Sequence, residues 1–235
     1  MLKSSTTLLA MSIALISNSA LAYQQGDLIL RTGAAAADPQ EDSSQLFIND
    51  ASTEDVLGVI SSVGVDSNVQ LGLSVTYMLN EHVGVELLAA TPFSHTITAN
   101  IETVGTVEAA EVKHLPPTLS FQYFPLRADS RLQPYLGLGI NYTTFFDEDV
   151  SSELDAVTQS LGIPGSGSLD LDDSFGFALE VGCDFALTDR LILNAAVWKA
   201  DIDTTATFTY QDGTRITADV AIDPLVYMVA AGYRF

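Results

Sequence analysis

This 235-residue chain has few basic residues and a single cysteine, and beyond its first 22 residues no apolar run is long enough for a membrane helix. Each shortage excludes something. With one cysteine, Cys183, no internal disulfide can form, so an exported fold must be held by other means. Within "FALEVGCDFAL", Cys183 reads as a small buried hydrophobe and not as a nucleophile. Nine Lys and Arg face 30 Asp and Glu, for a net charge of −21, which argues against nucleic acid as a partner because its phosphates would be repelled. Yet only 17% of the residues are charged, and the mean hydropathy is positive, +0.26. An apolar membrane chain without helices has one physical solution, a closed β-barrel that pairs every backbone group internally.

The first 22 residues are set apart. Lys3 supplies a positive start, Leu8 to Ile16 a short apolar core, and Ala20-Leu21-Ala22 a small-x-small cleavage site. Residues 1–22 therefore read as a signal peptide and 23–235 as the exported domain.

What that domain holds in abundance is alternation. In "NVQLGLSVTYML", Val69, Leu71, Leu73, Val75, Tyr77 and Leu79 share one face, opposite Gln70, Gly72, Ser74 and Thr76. "SFGFALEVGCDFAL" and "LQPYLGLGINY" repeat the pattern, and "LVYMVAAGYRF" carries it to the last residue. Eight such runs are expected, at about 24–37, 68–79, 83–99, 107–124, 132–147, 173–187, 191–210 and 218–235. Alternation alone would also suit a soluble sandwich. Run length, small residues on the polar face and turns of alternating length favour an all-β, eight-stranded antiparallel transmembrane β-barrel with both termini on one side. Short turns at 80–82, 125–131 and 188–190 read as periplasmic. The long segments 38–67 and 148–172, rich in acids and without Lys or Arg, read as solvated external loops. Aromatic rings are expected at both membrane edges: Tyr77, Tyr123, Phe185 and Tyr233 below, Phe93, Tyr142 and Phe146 above.

Several ordered motifs point further. "VGVELLAATPF" (83–93), "HLPPTL" (114–119), "PYLGLGINYTTFF" (134–146), "DIDTTA" (201–206) and the closing "AGYRF" closely resemble the OmpW family of outer-membrane proteins, across nearly the whole exported domain. The resemblance implies an outer-membrane barrel of a Gram-negative bacterium, with a largely apolar channel for small hydrophobic molecules. It also implies that the terminal Phe235 is the signal read by the barrel assembly machinery. Outer-membrane lipid and lipopolysaccharide are the expected surroundings.

The alternation also selects the lumen. Gly84, Glu86, Leu88, Ala90 and Pro92 are expected to point inward on the third run. Asp27 and Arg31 do so on the first, Glu180 and Asp184 on the sixth. Sorted by height, Asp27, Arg31, Glu86, Glu180, Asp184 and Arg234 fall in the periplasmic half and predict a polar plug. Leu88, Trp198, Ile202, Ile222, Val226 and Met228 fall at mid-height or above and predict an apolar pocket, with Leu88 and Trp198 as a constriction. On the residues alone, a closed structural core and a ligand channel stand level, since eight strands leave an interior just filled by side chains. The resemblance favours the channel. Pro116 and Pro117 donate nothing to the ladder, which reads either as a bulge or as a lateral gap through which an apolar solute enters the bilayer.

No cofactor, metal or catalytic residue is assigned. His82, His95 and His114 form no recognisable acid–base or zinc pattern, although His95 and His114 fall near the upper ends of adjacent runs. The rival to transport is a closed barrel that acts as a surface receptor through its acidic loops.

Overall fold

Alternating small polar and large apolar residues suit strands with one wet and one oily face, and this pattern dominates the structure. The computed structural model describes residues 23–235, so the expected signal peptide lies outside the described residues. In chain order the strands begin with β1 (Leu28–Asp38), β2 (Asp42–Ser43), β3 (Phe47–Ile48), β4 (Ala51–Ser52), β5 (Ser61–Val65) and β6 (Asn68–Met78). They continue with β7 (Val83–Ala90), β8 (Phe93–Ile101), β9 (Gly105–Leu115), β10 (Thr118–Tyr123) and β11 (Leu132–Val150). The last are β12 (Ser168–Leu171), β13 (Ser174–Ala186), β14 (Leu191–Ala200), β15 (Asp203–Thr209), β16 (Arg215–Ala221) and β17 (Leu225–Arg234). Two short helices, α1 (Thr53–Leu57) and α2 (Ser152–Ser160), interrupt them.

Eight of these strands close a ring. β1 pairs with β6, β6 with β7, β7 with β10, β10 with β11, β11 with β13, β13 with β14, β14 with β17, and β17 returns to β1, every pair antiparallel. Closure leaves no open edge within the membrane, where an unpaired backbone group would cost several kcal/mol. The outward rows are apolar and bare: Phe177 and Val229 are each 69% exposed, with Leu71, Leu138, Phe121 and Val181 in the same state. A continuous exposed apolar belt of this kind is lipid-facing. Cys183 belongs to it, partly exposed on the outer wall, which corrects the expectation of a buried thiol.

Four of the expected runs are not single strands. The segments 83–99, 107–124, 191–210 and 218–235 each divide in two, at residues 91–92, 116–117, 201–202 and 222–224. Prolines at 92, 116, 117 and 224 remove donors at three of these breaks. The outward residues change there as well. Below the breaks they are Leu87, Leu119, Val197 and Tyr227; above them, Thr96, Glu111, Lys113, Thr205, Thr207 and Asp219. Hydrocarbon therefore ends at the breaks, and the chain above them stands in water.

That upper storey has its own core. β5, β8, β9 and the upper half of β11 form one wall. β12, β15, β16, β3 and β4 form the other, with β2 on the edge of β16. Between them pack Leu46, Ile97, Val112, Leu154, Phe208, Ile216 and Val220, a cluster separate from the apolar cluster of the barrel. The long segments expected as solvated loops thus contribute structure. Leu46, Val59, Leu154 and Ile163 turn inward, Val56, Leu57, Ile60 and Leu161 stay exposed, and acids such as Glu54, Asp55 and Glu153 remain in solvent. Ser52 and Ser151 cap the two helices by accepting from the backbone N–H groups of Asp55 and Leu154.

Candidate functional site

At the periplasmic end two of the chain's arginines, Arg31 and Arg234, meet its inward acids. Arg31 of β1 lies opposite Ser74 on one side and Gly232 on the other, aimed at the barrel axis. Its guanidinium holds Asp184 through two bonds, Nε to Oδ1 at 3.0 Å and Nη2 to Oδ2 at 2.5 Å, the fork-to-fork geometry of a strong pair. Nη1 donates to Thr76 Oγ1 at 2.7 Å and to Glu86 Oε1 at 3.3 Å. The remaining capacity of Asp184 is taken by Tyr23 Oη at 2.7 Å and Asn194 Nδ2 at 2.8 Å. Gln122 donates to both oxygens of Glu180 at 3.1 Å and accepts from Thr76. Arg234 lies within 3.8 Å of the partly exposed Asp27 and donates to the Asp189 carbonyl.

Arg31, Glu86, Glu180 and Asp184 are all at most 2% exposed. Such charges are tolerated only when paired and hydrogen-bonded, and here they fill the lower lumen. Tyr23, Phe124 and Tyr135 close it with ring contacts of 5.2 and 5.0 Å. Glycines make the room: a Cβ at Gly182 would overlap the Tyr135 ring, and one at Gly137 would overlap the Glu180 carboxylate.

Above mid-height the lining turns apolar. Leu88, Trp198, Ile202 and Val226 surround one void of about 30 Å³, together with Pro116, Thr118, Asn141 and His114. Met228 is buried lower, against β6 and β1. Ile222 lines a second and larger volume in the upper storey, about 240 Å³, walled by Leu46, Ile97, Leu154, Phe208 and Ile216. His114 borders both volumes.

Phe93 is not part of an outer aromatic belt. It is 1% exposed and stacks on His114 at 5.5 Å, while Pro92, expected inside, is exposed. The break at residues 91–92 shifts the alternation by one: even residues face inward in β7, odd residues in β8. That shift brings Phe93, His95 and Ile97 inward. His95 and His114 stack at 5.0 Å, and Phe145 closes on His114 at 5.8 Å. Burial, reinforced by neighbouring His95, pushes the His114 imidazole down to about 3. Burial also lowers His95, against the opposing pull of Asp66, whose carbonyl is 2.5 Å from His95 Nδ1. Both rings are therefore neutral at pH 7.

Pro116 and Pro117 sit between β9 and β10. Asn141 Nδ2 reaches the Pro116 carbonyl at 3.1 Å, the Pro117 carbonyl at 3.4 Å and Thr118 Oγ1 at 2.9 Å. The Tyr142 N–H of β11 also reaches the Pro117 carbonyl, at 3.1 Å, so the side-chain amide supplements one ladder bond at the break. Phe235 is 67% exposed on the outer wall, edge-on to Tyr233 at 4.7 Å. Pro92 was a signal for the alternation shift. Alternation places Tyr135 and Asn194 inward as well, but nothing in the local pattern marked Tyr23, ahead of the first strand, as a member of the plug.

A sealed antiparallel ring of eight strands, lipid-facing outside and side-chain-filled within, is the transmembrane barrel of an outer membrane. The OmpW family model matches residues 24–235. Outer membrane protein W of Vibrio cholerae serotype O1 is 42% identical over 228 residues, covering 97% of each chain. That of Escherichia coli K12 is 40% identical over 221 residues, covering 94% of each. The crystal structure of OprG from Pseudomonas aeruginosa agrees with a TM-score of 0.80 at 40% identity, over 92% of this chain and 98% of that one. The chain belongs to the OmpW family and is a multi-pass barrel of the outer membrane.

Proposed function

We propose that this barrel admits small apolar molecules from outside and releases them sideways into the outer membrane. The observation that carries the reading is the contrast along one axis: an apolar chamber of about 240 Å³ above, a packed ionic plug below. A solute drawn into the chamber by burial of its apolar surface gains nothing by moving on through charged groups. Leaving through the wall into hydrocarbon keeps it in an apolar medium throughout. The Pro116–Pro117 break is the exit in this reading, since Pro116 borders the void that follows the chamber. Leu88 and Trp198 form the constriction before it. No bond chemistry is involved. Lipopolysaccharide around the outer storey, and recognition of Phe235 by the assembly machinery, belong to the same proposal.

One observation favours a second reading, a closed barrel acting through its acidic outer surface: the void at Leu88 and Trp198 has room for about one water. Uptake of an apolar fluorescent probe into vesicles carrying the protein separates the two. Trp198→Ala should raise it several-fold, and replacing Pro116 and Pro117 by threonines, which restores two donors, should lower it. Uptake indifferent to all three changes would leave the surface-receptor reading in place.

A further inference from the structure

Two residues that line the void between chamber and plug, Trp198 and His114, each carry a buried ring nitrogen with no hydrogen-bond partner. The atoms are Trp198 Nε1 and His114 Nδ1, in residues 2% and 7% exposed. Buried polar atoms are rarely left so, and an exception calls for an explanation. The other polar side chains around this void are engaged. The Asn141 amide is on the Pro116 and Pro117 carbonyls and on Thr118, and Thr118 Oγ1 donates to Pro116. What remains is one obligatory donor, the indole N–H, and one ring nitrogen of a histidine that is neutral at pH 7. The volume, about 30 Å³, suits a single small polar group and not a whole solute.

We infer that this pair receives a neutral hydroxyl group, so that the favoured solute is a compact alcohol or phenol: an apolar body with one OH. A hydroxyl both accepts and donates. Its oxygen takes the Trp198 N–H, and its proton goes to His114 Nδ1 in the tautomer that carries hydrogen on Nε2. A pure hydrocarbon satisfies neither nitrogen, and a carboxylate or ammonium would bring a charge into an apolar site with no counter-ion. Size agrees. An apolar cavity of about 150 Å³ holds benzene, so the 240 Å³ chamber admits a two-ring or short-chain body. The His95 and His114 rings, stacked on each other at 5.0 Å, both line that chamber. The inference rests on the uptake reading above and sharpens its substrate class.

The chain has a single tryptophan, so one indole N–H resonance reports on this site alone. The experiment compares 2-naphthol with 2-methylnaphthalene, which differ by OH against CH₃, on the intact protein in micelles. Affinity is read from side-chain methyl shifts and hydrogen bonding from the Trp198 indole N–H. The naphthol should bind at least about tenfold tighter, the net value of the two buried hydrogen bonds it makes, and should move the indole proton downfield. His114→Phe and Trp198→Phe should each bring the ratio of affinities toward one. Equal binding of the two in the unaltered protein, with a still indole proton, would overturn the hydroxyl site while leaving the apolar chamber intact. Binding of neither would overturn the uptake reading and this one with it. The wild-type comparison decides the matter even if a variant fails to insert.

Discussion

The lower and upper parts of this molecule are built on the same alternation and closed by opposite means. In the barrel the inward side chains are Arg31, Glu86, Glu180 and Asp184, held by a chain of hydrogen bonds reaching Thr76, Gln122, Asn194 and Tyr23. In the outer storey the inward side chains are Ile97, Leu154, Phe208 and Val220, and a cavity is left among them. Solvent accounts for the inversion. A barrel with lipid outside can keep its polar residues only within, whereas a sandwich standing in water keeps its apolar ones there. The four strand breaks mark the level at which one rule replaces the other.

The largest expected effect comes from breaking the plug. Arg31→Ala strands Asp184 and Glu86 in the lumen and should cost about 3–5 kcal/mol, read from urea unfolding in micelles or vesicles. Replacing Arg31 by Met together with Asp184 by Leu and Glu86 by Gln should recover much of that loss, because both carboxylates that Arg31 paired are gone. A cost under about 1 kcal/mol for the single change would mean that the network does not hold the lower half closed.

Phe208→Ala removes a large side chain from the upper core, where such truncations cost about 3–5 kcal/mol. Because the two apolar clusters are separate, the damage should stay local. Limited proteolysis should cut the outer storey faster and leave the barrel intact. Simultaneous loss of both would show that the two parts fold as one unit.

At the boundary itself, Asn141→Ala removes one donor from each of the Pro116 and Pro117 carbonyls while Thr118 Oγ1 and the Tyr142 N–H remain on them, and should cost about 0.5–1.5 kcal/mol. Faster hydrogen exchange at the ends of β9 and β10 would locate the effect. Acid is the next test. The unfolded chain has ordinary histidines near 6.5, while folded His114 sits at about 3. Between those values the unfolded state binds more protons, so the stabilisation from burying neutral His114 is present above pH 6.5 and fades as pH falls toward 3. The proteolytic resistance of the upper storey should follow that slope, and His114→Phe should flatten it. Smallest of all, Lys113→Ala breaks a solvent-exposed pair with Asp147 at 3.0 Å and should leave the unfolding midpoint unmoved.

Much of the barrel was legible beforehand because strand periodicity is local: each residue's face follows from its parity alone. Arg31, Asp184, Glu86 and Leu88 could be assigned inward on that basis, and the structure puts them there. Parity carries only as far as the strand is continuous. Phe93 was assigned to the wrong side because Pro92 ends one strand and the next begins out of step. The acidic segments 38–67 and 148–172 have no sustained period, so nothing in them announced that Leu46 and Leu154 would meet Ile97 and Phe208.

By itself the amino-acid order determined strands with one apolar face, a pattern a sandwich shares. Run length, small inward residues and turns of alternating length favoured a lipid-facing cylinder of eight. Tertiary structure alone decided that four runs would break at one level. It also brought Trp198 and His114 to one void with their nitrogens unsatisfied. Those outcomes depend on where hydrocarbon gives way to water and on contacts between residues 84 positions apart, and no local pattern encodes either.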